Sequence, residues 1–176
     1  MHPTDDVIKE TIIPRKGALG FVAPRPREEV HIRKKGWFEA QIKVLLASYA
    51  AETIKYATTG SGVSADFQMA MEFAHSMVWQ YGMGKSGRIG NWEHLVGTYG
   101  QSFISEKTKE ILDNDVQNIL QECLLEVAGI LNTNRPLLDY FAQELLSKGE
   151  LEYDEIEAIF KKFGIKPTSR PVLAAS

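Results

Sequence analysis

The most regular apolar patterns of the chain repeat every three or four residues, which is the period of an amphipathic α-helix. The first pattern begins after Gly36 and consists of Ile42, Leu45, Leu46, Tyr49, Ala50 and Ile54. A second helix is predicted from Ser64, a residue type that favours the N-cap position. Its predicted buried stripe consists of Val63, Phe67, Ala70, Ala74, Met77, Val78 and Tyr81.

The C-terminal part of the chain has the clearest helical signal. Ser105 can cap a helix whose apolar positions are Ile111, Val116, Ile119, Leu120, Cys123, Leu124, Val127, Ile130 and Leu131. Pro136 is suited to the first turn of a following helix, and Gly149 to its end. A short third helix contains Ile156, Ile159 and Phe160 and ends at Gly164. These helices predict a bundle over residues 101–165, followed by a tail over 166–176.

The first 35 residues have a different, extended pattern. A β-branched run from Val7 to Ile13 stops at Pro14, and a second apolar run covers Ala18–Val22. The intervening Arg15-Lys16-Gly17 favours a turn, so these runs predict a β-hairpin or a pair of strands. Pro24-Arg25-Pro26-Arg27 predicts an exposed loop because proline cannot donate to a strand ladder.

The predicted fold class is therefore mainly α, with a small β-hairpin or short sheet near the N-terminus, in a single domain over residues 1–176. Within it, residues 1–35 form the β and loop portion, and residues 36–100 contain two helices and a glycine-rich segment. That segment, Gly82–Gly100, lacks the GxxxxGK[ST] spacing of a phosphate-binding loop and predicts a long structured loop.

Composition and charge narrow the function classes. The 176 residues include 20 Lys and Arg against 23 Asp and Glu, a net charge of −3, so no general attraction for nucleic acid is expected. No apolar run reaches the roughly 18–20 residues of a membrane span, and the polar start MHPTDD does not resemble a signal peptide. We expect an intracellular protein, in a cytoplasm or an organelle interior, that does not insert into a membrane.

The candidate chemistry is sparse. The four histidines are His2, His31, His75 and His94, and none belongs to an HExxH motif. Cys123 lies on the apolar stripe of a helix, which favours a packed thiol over a nucleophile. Asp66 falls in the first turn of the second helix, where a carboxylate either stabilises the helix dipole or serves as a metal ligand or base. His75 follows nine residues later, on the opposite face of that helix.

Several segments resemble the peptidase domain of FtsH-type ATP-dependent zinc proteases, in the same order along the chain. Residues 11–15 and 17–20 (TIIPR, GALG) resemble that family's TIIPRG…ALG segment. Ala50-Ala51-Glu52 resembles its GGRAAEE helix, and residues 61–67 (SGVSADF) resemble its TGAxNDL segment. Ala74, Met77, Val78 and Gly82-Met83 resemble its AR-MV…GM continuation, and Ser105–Phe160 is similar to its closing bundle.

The resemblance implies a function and a metal ligand. Members of the family cleave unfolded or membrane proteins in a hexameric ring that joins an ATPase module to this helical domain. They hold zinc with the two histidines of an HExxH motif and a later aspartate, and the HExxH glutamate is the base. Asp66 matches that aspartate, so Asp66 is the one metal ligand that the resemblance assigns here. It assigns no catalytic residue.

The chain also departs from the family pattern. Ala47-Ser48-Tyr49 replaces the double glycine before AAE, His75 replaces an arginine, and Lys16 is an extra residue. The family's HExxH helix precedes the TIIPRG strand, and we expect it to lie outside this chain, together with the ATPase module. The chain alone is then inactive, holds zinc only if the HExxH segment is supplied, and binds no ATP. Two readings remain open: part of an active protease, or a degenerate relative that serves as a scaffold or protein–protein interaction module.

Overall fold

The first helix, α1 (Lys35–Tyr56), is buried along a single stripe. The computed structural model describes residues 5–14, 20–26, 32–95 and 103–165. The buried residues of α1 recur every fourth position and are Phe38, Ile42, Leu46 and Ala50. This spacing confirms the helix that the apolar pattern predicts, because residues four apart lie on one face. The helix ends at Tyr56 and is followed by the C-cap residue Ala57, which has a left-handed φ of 54°.

The second helix is entered through a tight turn, which makes the predicted N-cap at Ser64 wrong. A 3₁₀ turn (Ser61–Val63) leads directly into α2 (Ser64–His75), and Ser64 itself has helical φ and ψ of −58° and −44°. Its hydroxyl makes no cap hydrogen bond, since the preceding turn already directs the chain into the helix.

A π-helical turn (Ser76–Gln80) follows α2 and changes which residues are buried. Trp79 is only 7% exposed, whereas Tyr81, predicted to be buried, is 51% exposed. A π turn contains more residues than an α turn, so it shifts the phase of the stripe by about one position. Phe67 was also predicted to be buried and is 40% exposed, with its ring 5.2 Å from that of Tyr49.

The long helix α3 (Glu106–Thr133) begins where its sequence predicts. The hydroxyl of Ser105 accepts a hydrogen bond from the backbone N–H of Thr108 at 3.2 Å, which confirms the predicted cap. Its buried residues are Leu112, Asp115, Val116, Ile119, Cys123 and Val127. The buried stripe ends at Val127, so Ile130, an apolar position farther along the helix, is 51% exposed.

Two shorter helices flank a short strand near the C-terminal end. Helix α4 (Arg135–Lys148) has Pro136 in its first turn and is followed by strand β3 (Glu150–Glu152) and helix α5 (Tyr153–Lys162). The helix ends predicted from glycine are confirmed, since Gly149 and Gly164 have positive φ values of 80° and 72°. Strand β3 was not predicted.

The strands form a small antiparallel sheet in the order β2–β1–β3. Strand β1 is Asp5–Thr11 and β2 is Phe21–Pro26, so the predicted antiparallel pairing of the two N-terminal runs is confirmed. The predicted turn at residues 15–17 lies outside the described residues. The prediction of a loop from Pro24 is wrong for Pro24–Pro26, because β2 is an edge strand and an edge tolerates residues that cannot donate to a ladder.

The described residues group into two compact units. Those within 32–132 share one core, built from α1, α2, the π turn and α3. Those within 1–31 and 133–176 share a second core around Leu137, Leu145, Leu151, Ile156 and Ile159. None of the described helices combines the length and apolar character of a membrane span. The single domain and the bundle over 101–165 stay predictions.

Candidate functional site

The predicted metal ligand, Asp66, lies in the first turn of α2, as its sequence position indicates. The side chain is half-buried against α1. The hydroxyl of Ser48, on α1, donates a hydrogen bond of 2.8 Å to Asp66 Oδ2. Ser48 stands in the segment where the chain departs from the family's double glycine, so this contact depends on a side chain that glycine does not have.

A second residue of α1 holds the turn that leads to Asp66. Glu52 lies four residues after Ser48 and therefore on the same face of the helix. Its Oε2 accepts a hydrogen bond of 2.7 Å from the backbone N–H of Gly60 and one of 3.1 Å from the hydroxyl of Thr59. One face of α1 thus positions both the turn before α2 and the carboxylate in its first turn.

The arrangement leaves one oxygen of Asp66 available. Oδ2 is occupied by Ser48, and Oδ1 has no hydrogen-bond partner in the part of the chain that the structure describes. A zinc-bound carboxylate commonly uses one oxygen for the metal while a neighbouring group binds the other. The geometry of Asp66 fits that role. Among residues 5–14, 20–26, 32–95 and 103–165, however, no three His, Cys, Asp or Glu side chains group closely enough to hold a metal ion.

The histidines are placed away from Asp66 or lie outside the described residues. His75 stacks on Trp79, with ring centroids 4.9 Å apart and planes inclined by 11°, and its Nδ1 lies 3.7 Å from Glu93 Oε2. His94 is exposed on a 3₁₀ turn (Glu93–Leu95). His2 and His31 fall on residues that the structure does not describe. The structure thus brings no described histidine to Asp66.

The most deeply buried carboxylate of the described residues was not singled out by sequence reasoning. Asp115 on α3 is only 5% exposed. Both of its oxygens accept the backbone N–H of Ser86 at 3.1 Å, and Oδ2 also accepts the Ser86 hydroxyl at 2.5 Å. Asp115 therefore fastens the loop that follows the π turn. Its position between Leu112 and Ile119 on the apolar stripe was the available signal.

The same loop is held at two further points. Lys85 forms an ion pair with Glu122 on α3, and the ammonium of Lys35 donates a hydrogen bond of 3.2 Å to the backbone carbonyl of Met83. Gly84 passes so close to Asp115 that a Cβ at position 84 would overlap Oδ2 and lie 2.9 Å from Cγ. The prediction that the segment from Gly82 is a structured loop is confirmed for its described residues, which end at Leu95.

Cys123 is a packed core thiol, as its sequence pattern predicts. The residue is 3% exposed, and its S–H donates to the backbone carbonyl of Glu39 at 3.7 Å. Burial raises the pKa of the Cys123 thiol to about 11, from a usual value of 9.0. Since the thiolate is the nucleophile, this environment opposes a catalytic role.

We expect Cys123 to resist modification in the folded protein. A pKa of about 11 in place of 9.0 leaves about 100-fold less thiolate at neutral or mildly alkaline pH, and burial hinders access further. Reaction with a chromogenic disulfide reagent near neutral pH should therefore be very slow in buffer and should release one thiol per chain in urea. Rapid native reaction, with helical circular dichroism intact, would show that the thiol is accessible.

Comparison with known proteins identifies several relatives that are named as ATP-dependent zinc metalloproteases. The chain is 34% identical over 155 residues to "ATP-dependent zinc metalloprotease FtsH 2" of Phytoplasma mali, covering 88% of this chain and 22% of that protein. It is 32% identical over 163 residues to "ATP-dependent zinc metalloprotease FtsH" of Thermus thermophilus, covering 90% and 26%. A Streptococcus pneumoniae protein of the same name is 32% identical over 159 residues, covering 88% and 24%.

The chain spans about a quarter of the length of these curated relatives. The family model named "Peptidase family M41" matches residues 1–159, which include Asp66, Asp115 and the loop that Asp115 fastens. The match extends from the N-terminal sheet to α5, so it covers elements of both compact units. On this match, the chain belongs to peptidase family M41.

Proposed function

We propose that the chain is the peptidase part of an ATP-dependent zinc metalloprotease and that Asp66 is one of the ligands of its zinc. The observation that carries the proposal is the Asp66 carboxylate, with Oδ2 bound by Ser48 and Oδ1 without a described partner. Membership of family M41 supports it, as do relatives named as ATP-dependent zinc metalloproteases.

The proposal assigns specific tasks to residues of this chain. Asp66 supplies a carboxylate oxygen, Ser48 fixes the orientation of that carboxylate, and Glu52 fixes the turn that carries it. The 176 residues contain no HExxH motif, so the two histidine ligands and the general base would come from a segment outside them. Zinc, when bound, lowers the pKa of a coordinated water and polarises the scissile carbonyl.

Zinc content and proteolysis test the proposal directly. The chain alone should bind no stoichiometric zinc and leave an unfolded casein substrate intact. A fusion that places the HExxH helix of a zinc metalloprotease relative ahead of residue 1 should bind one zinc per chain and cleave casein in a chelator-sensitive manner. A correctly folded fusion without zinc would overturn the proposal. One zinc on the chain alone would show that its own histidines complete a site.

Replacing Ser48 by alanine tests how Asp66 is oriented. The hydroxyl that binds Oδ2 is lost, while α1 is preserved because alanine is a strong helix former. In the zinc-loaded fusion we expect zinc affinity to fall about 10- to 100-fold, the usual loss when an outer-shell partner is removed. Competition with a chromophoric chelator measures the affinity.

Thr53→Ala is the matched control for this variant. Thr53 is another exposed hydroxyl residue of α1, and its hydroxyl binds the Tyr49 carbonyl of the same helix at 2.9 Å, away from Asp66. Zinc affinity should be unchanged in this variant. Equal affinities in Ser48→Ala and the wild-type fusion would contradict the orienting role of Ser48.

A scaffold or protein–protein interaction module is the second candidate function. The Ser48–Asp66 hydrogen bond favours it, because this contact ties α1 to α2 and gives the carboxylate a structural partner without any metal. In that case the HExxH fusion would fold with helical circular dichroism but hold no zinc. The fusion experiment therefore separates the two functions.

A further inference from the structure

Three side chains meet where the end of α2 and the following π turn lie beside the segment around Trp92. The imidazole of His75 lies flat on the indole of Trp79, with centroids 4.9 Å apart, and its Nδ1 lies 3.7 Å from Glu93 Oε2. His75 and Glu93 are partly solvent-exposed, with side-chain exposures of 38% and 49%. The imidazole is thus accessible to protons while it is held between an aromatic face and a carboxylate.

A backbone hydrogen bond also joins the π turn to the segment around Trp92. The N–H of Trp92 donates to the carbonyl of Trp79 at 2.7 Å, one residue before Glu93. The segment is therefore attached by this backbone contact, by the His75–Glu93 pair and by the Trp92 side chain, which packs against the core that contains Trp79. Opening of the segment breaks all three contacts, so the exchange of the Trp92 amide proton reports on their combined strength, and its change with pH reports on the His75–Glu93 pair.

We propose that His75, Trp79 and Glu93 form a pH-sensitive clasp that fastens the Asn91–Leu95 segment to the end of α2. The clasp is tight when the imidazole is protonated and loose when it is neutral. This inference does not depend on zinc, on the HExxH segment or on proteolysis. It concerns only residues within the 32–132 unit.

Protonation of the imidazole strengthens two interactions at once. A protonated imidazole attracts the Glu93 carboxylate and also the π face of Trp79, whereas a neutral one retains only the stacking contact. On its own helix, the nearest acidic residue one turn back is Glu72, whose Oε1 instead accepts a hydrogen bond from Gln68 at 2.9 Å. Glu93 is the one charged side chain that pairs with His75 among the described residues.

The response falls within the physiological pH range. Histidine is the residue type whose charge ordinarily changes between about pH 5 and pH 8, so measurements near these two pH values test the response. An exposed ion pair and an exposed cation–π contact each contribute modestly, and together they predict an about three- to thirtyfold stronger closure when the imidazole is protonated.

Hydrogen exchange of the 176-residue chain tests the clasp. Protection factors of the Trp92 amide, measured by NMR at about pH 5.5 and about pH 8, are normalised to intrinsic exchange rates. The wild-type protection factor should fall about three- to thirtyfold between the two values. His75→Arg keeps the charge at both pH values and should stay protected, whereas His75→Gln should have low protection at both.

Two further variants complete the design. Glu93→Gln removes the carboxylate from an exposed turn and should reduce the change in Trp92 protection with pH. This variant keeps the test valid if the His75 variants do not fold. His94→Gln removes the neighbouring imidazole, which makes no hydrogen bond or ion pair with a described residue, and should respond like the wild type. The clasp is refuted if the Trp92 protection factor changes with pH to the same extent in the wild type, His75→Gln and Glu93→Gln. It is also refuted if His94→Gln alone abolishes the change.

Discussion

Zinc affinity should fall more than 100-fold when Asp66 is replaced by asparagine in the HExxH fusion. This exceeds the roughly 10- to 100-fold loss expected for an outer-shell partner, because a charged ligand of the metal is removed. The amide oxygen of asparagine can still accept the Ser48 hydrogen bond of 2.8 Å, so the contact between α1 and α2 is retained. Chelator competition measures the affinity, and urea unfolding of the metal-free protein measures its stability.

The unfolding free energy of the metal-free protein, compared with its zinc affinity, distinguishes a ligand role of Asp66 from an interaction with the helix dipole alone. A carboxylate that serves only the helix dipole contributes about 0.3–1 kcal/mol and has no effect on zinc. The expected order of zinc affinity is therefore wild type and Thr53→Ala, then Ser48→Ala, then Asp66→Asn. If Asp66→Asn loses stability but retains wild-type zinc affinity, Asp66 acts on the helix and is not a ligand.

Gly84→Ala should destabilise the chain by about 2–3 kcal/mol, because the new methyl group meets a buried carboxylate that has no room to move. The added Cβ would overlap Asp115 Oδ2 and lie 2.9 Å from Cγ. Asp115 is held at both oxygens by Ser86, so relief of the overlap requires the loss of those hydrogen bonds. Gly84 does not have a positive φ, and the expected cost therefore comes from this contact rather than from backbone strain. Urea unfolding followed by circular dichroism measures it.

A double-mutant cycle identifies the source of that cost. In an Asp115→Ala background the overlapping carboxylate is absent, so Gly84→Ala should cost less than about 0.5 kcal/mol. Gly129→Ala is the matched control, since Gly129 lies within α3 with nothing within 4 Å of an added Cβ, and it should stabilise by about 0.5–1 kcal/mol. Equal costs of Gly84→Ala in both backgrounds would show that Asp115 is not responsible.

The helices could be predicted because their burial follows local periodicity. Phe38, Ile42, Leu46 and Ala50 form one stripe of α1, and Ser105 marks the start of α3 by a cap that involves only neighbouring residues. The shift from Tyr81 to Trp79 was not predictable in this way. It results from a π turn, whose extra residue per turn is a consequence of packing rather than of the local apolar pattern.

The sheet depends on long-range pairing and was predicted only in part. Strand β3 has three residues, and it is a strand because Glu150–Glu152 pairs with Lys9–Thr11 at the other end of the chain. The prolines at positions 24 and 26 were assigned to a loop because their tolerance in a strand depends on whether it lies at an edge. A single sequence read locally contains neither fact.

Asp66 and Asp115 differ in how far the sequence alone could identify them. Asp66 was found through its helix position and its match to a family segment, and its hydrogen bond to Ser48 then appeared only in three dimensions. Asp115 interrupts an apolar stripe, so it could have been identified as a buried acid that needs donors. Its donor, Ser86, comes from a loop 29 positions away, and local spacing does not indicate that partner.

The pairing of β1 with β3 has a consequence for synthesis of the protein. Lys9 and Glu152 are 143 positions apart, and a ribosome adds about 5–20 residues per second. Strand β3 is therefore synthesised about 7–30 s after β1, with which it pairs. Residues 32–132 can complete their own core during that interval, before α4 and β3 have emerged. Until then one edge of β1 has no ladder partner, and such an edge can pair with other chains. Translation that stalls once residue 132 has left the ribosome, but before β3 has, should therefore yield nascent chains with a folded middle and an aggregation-prone N-terminus.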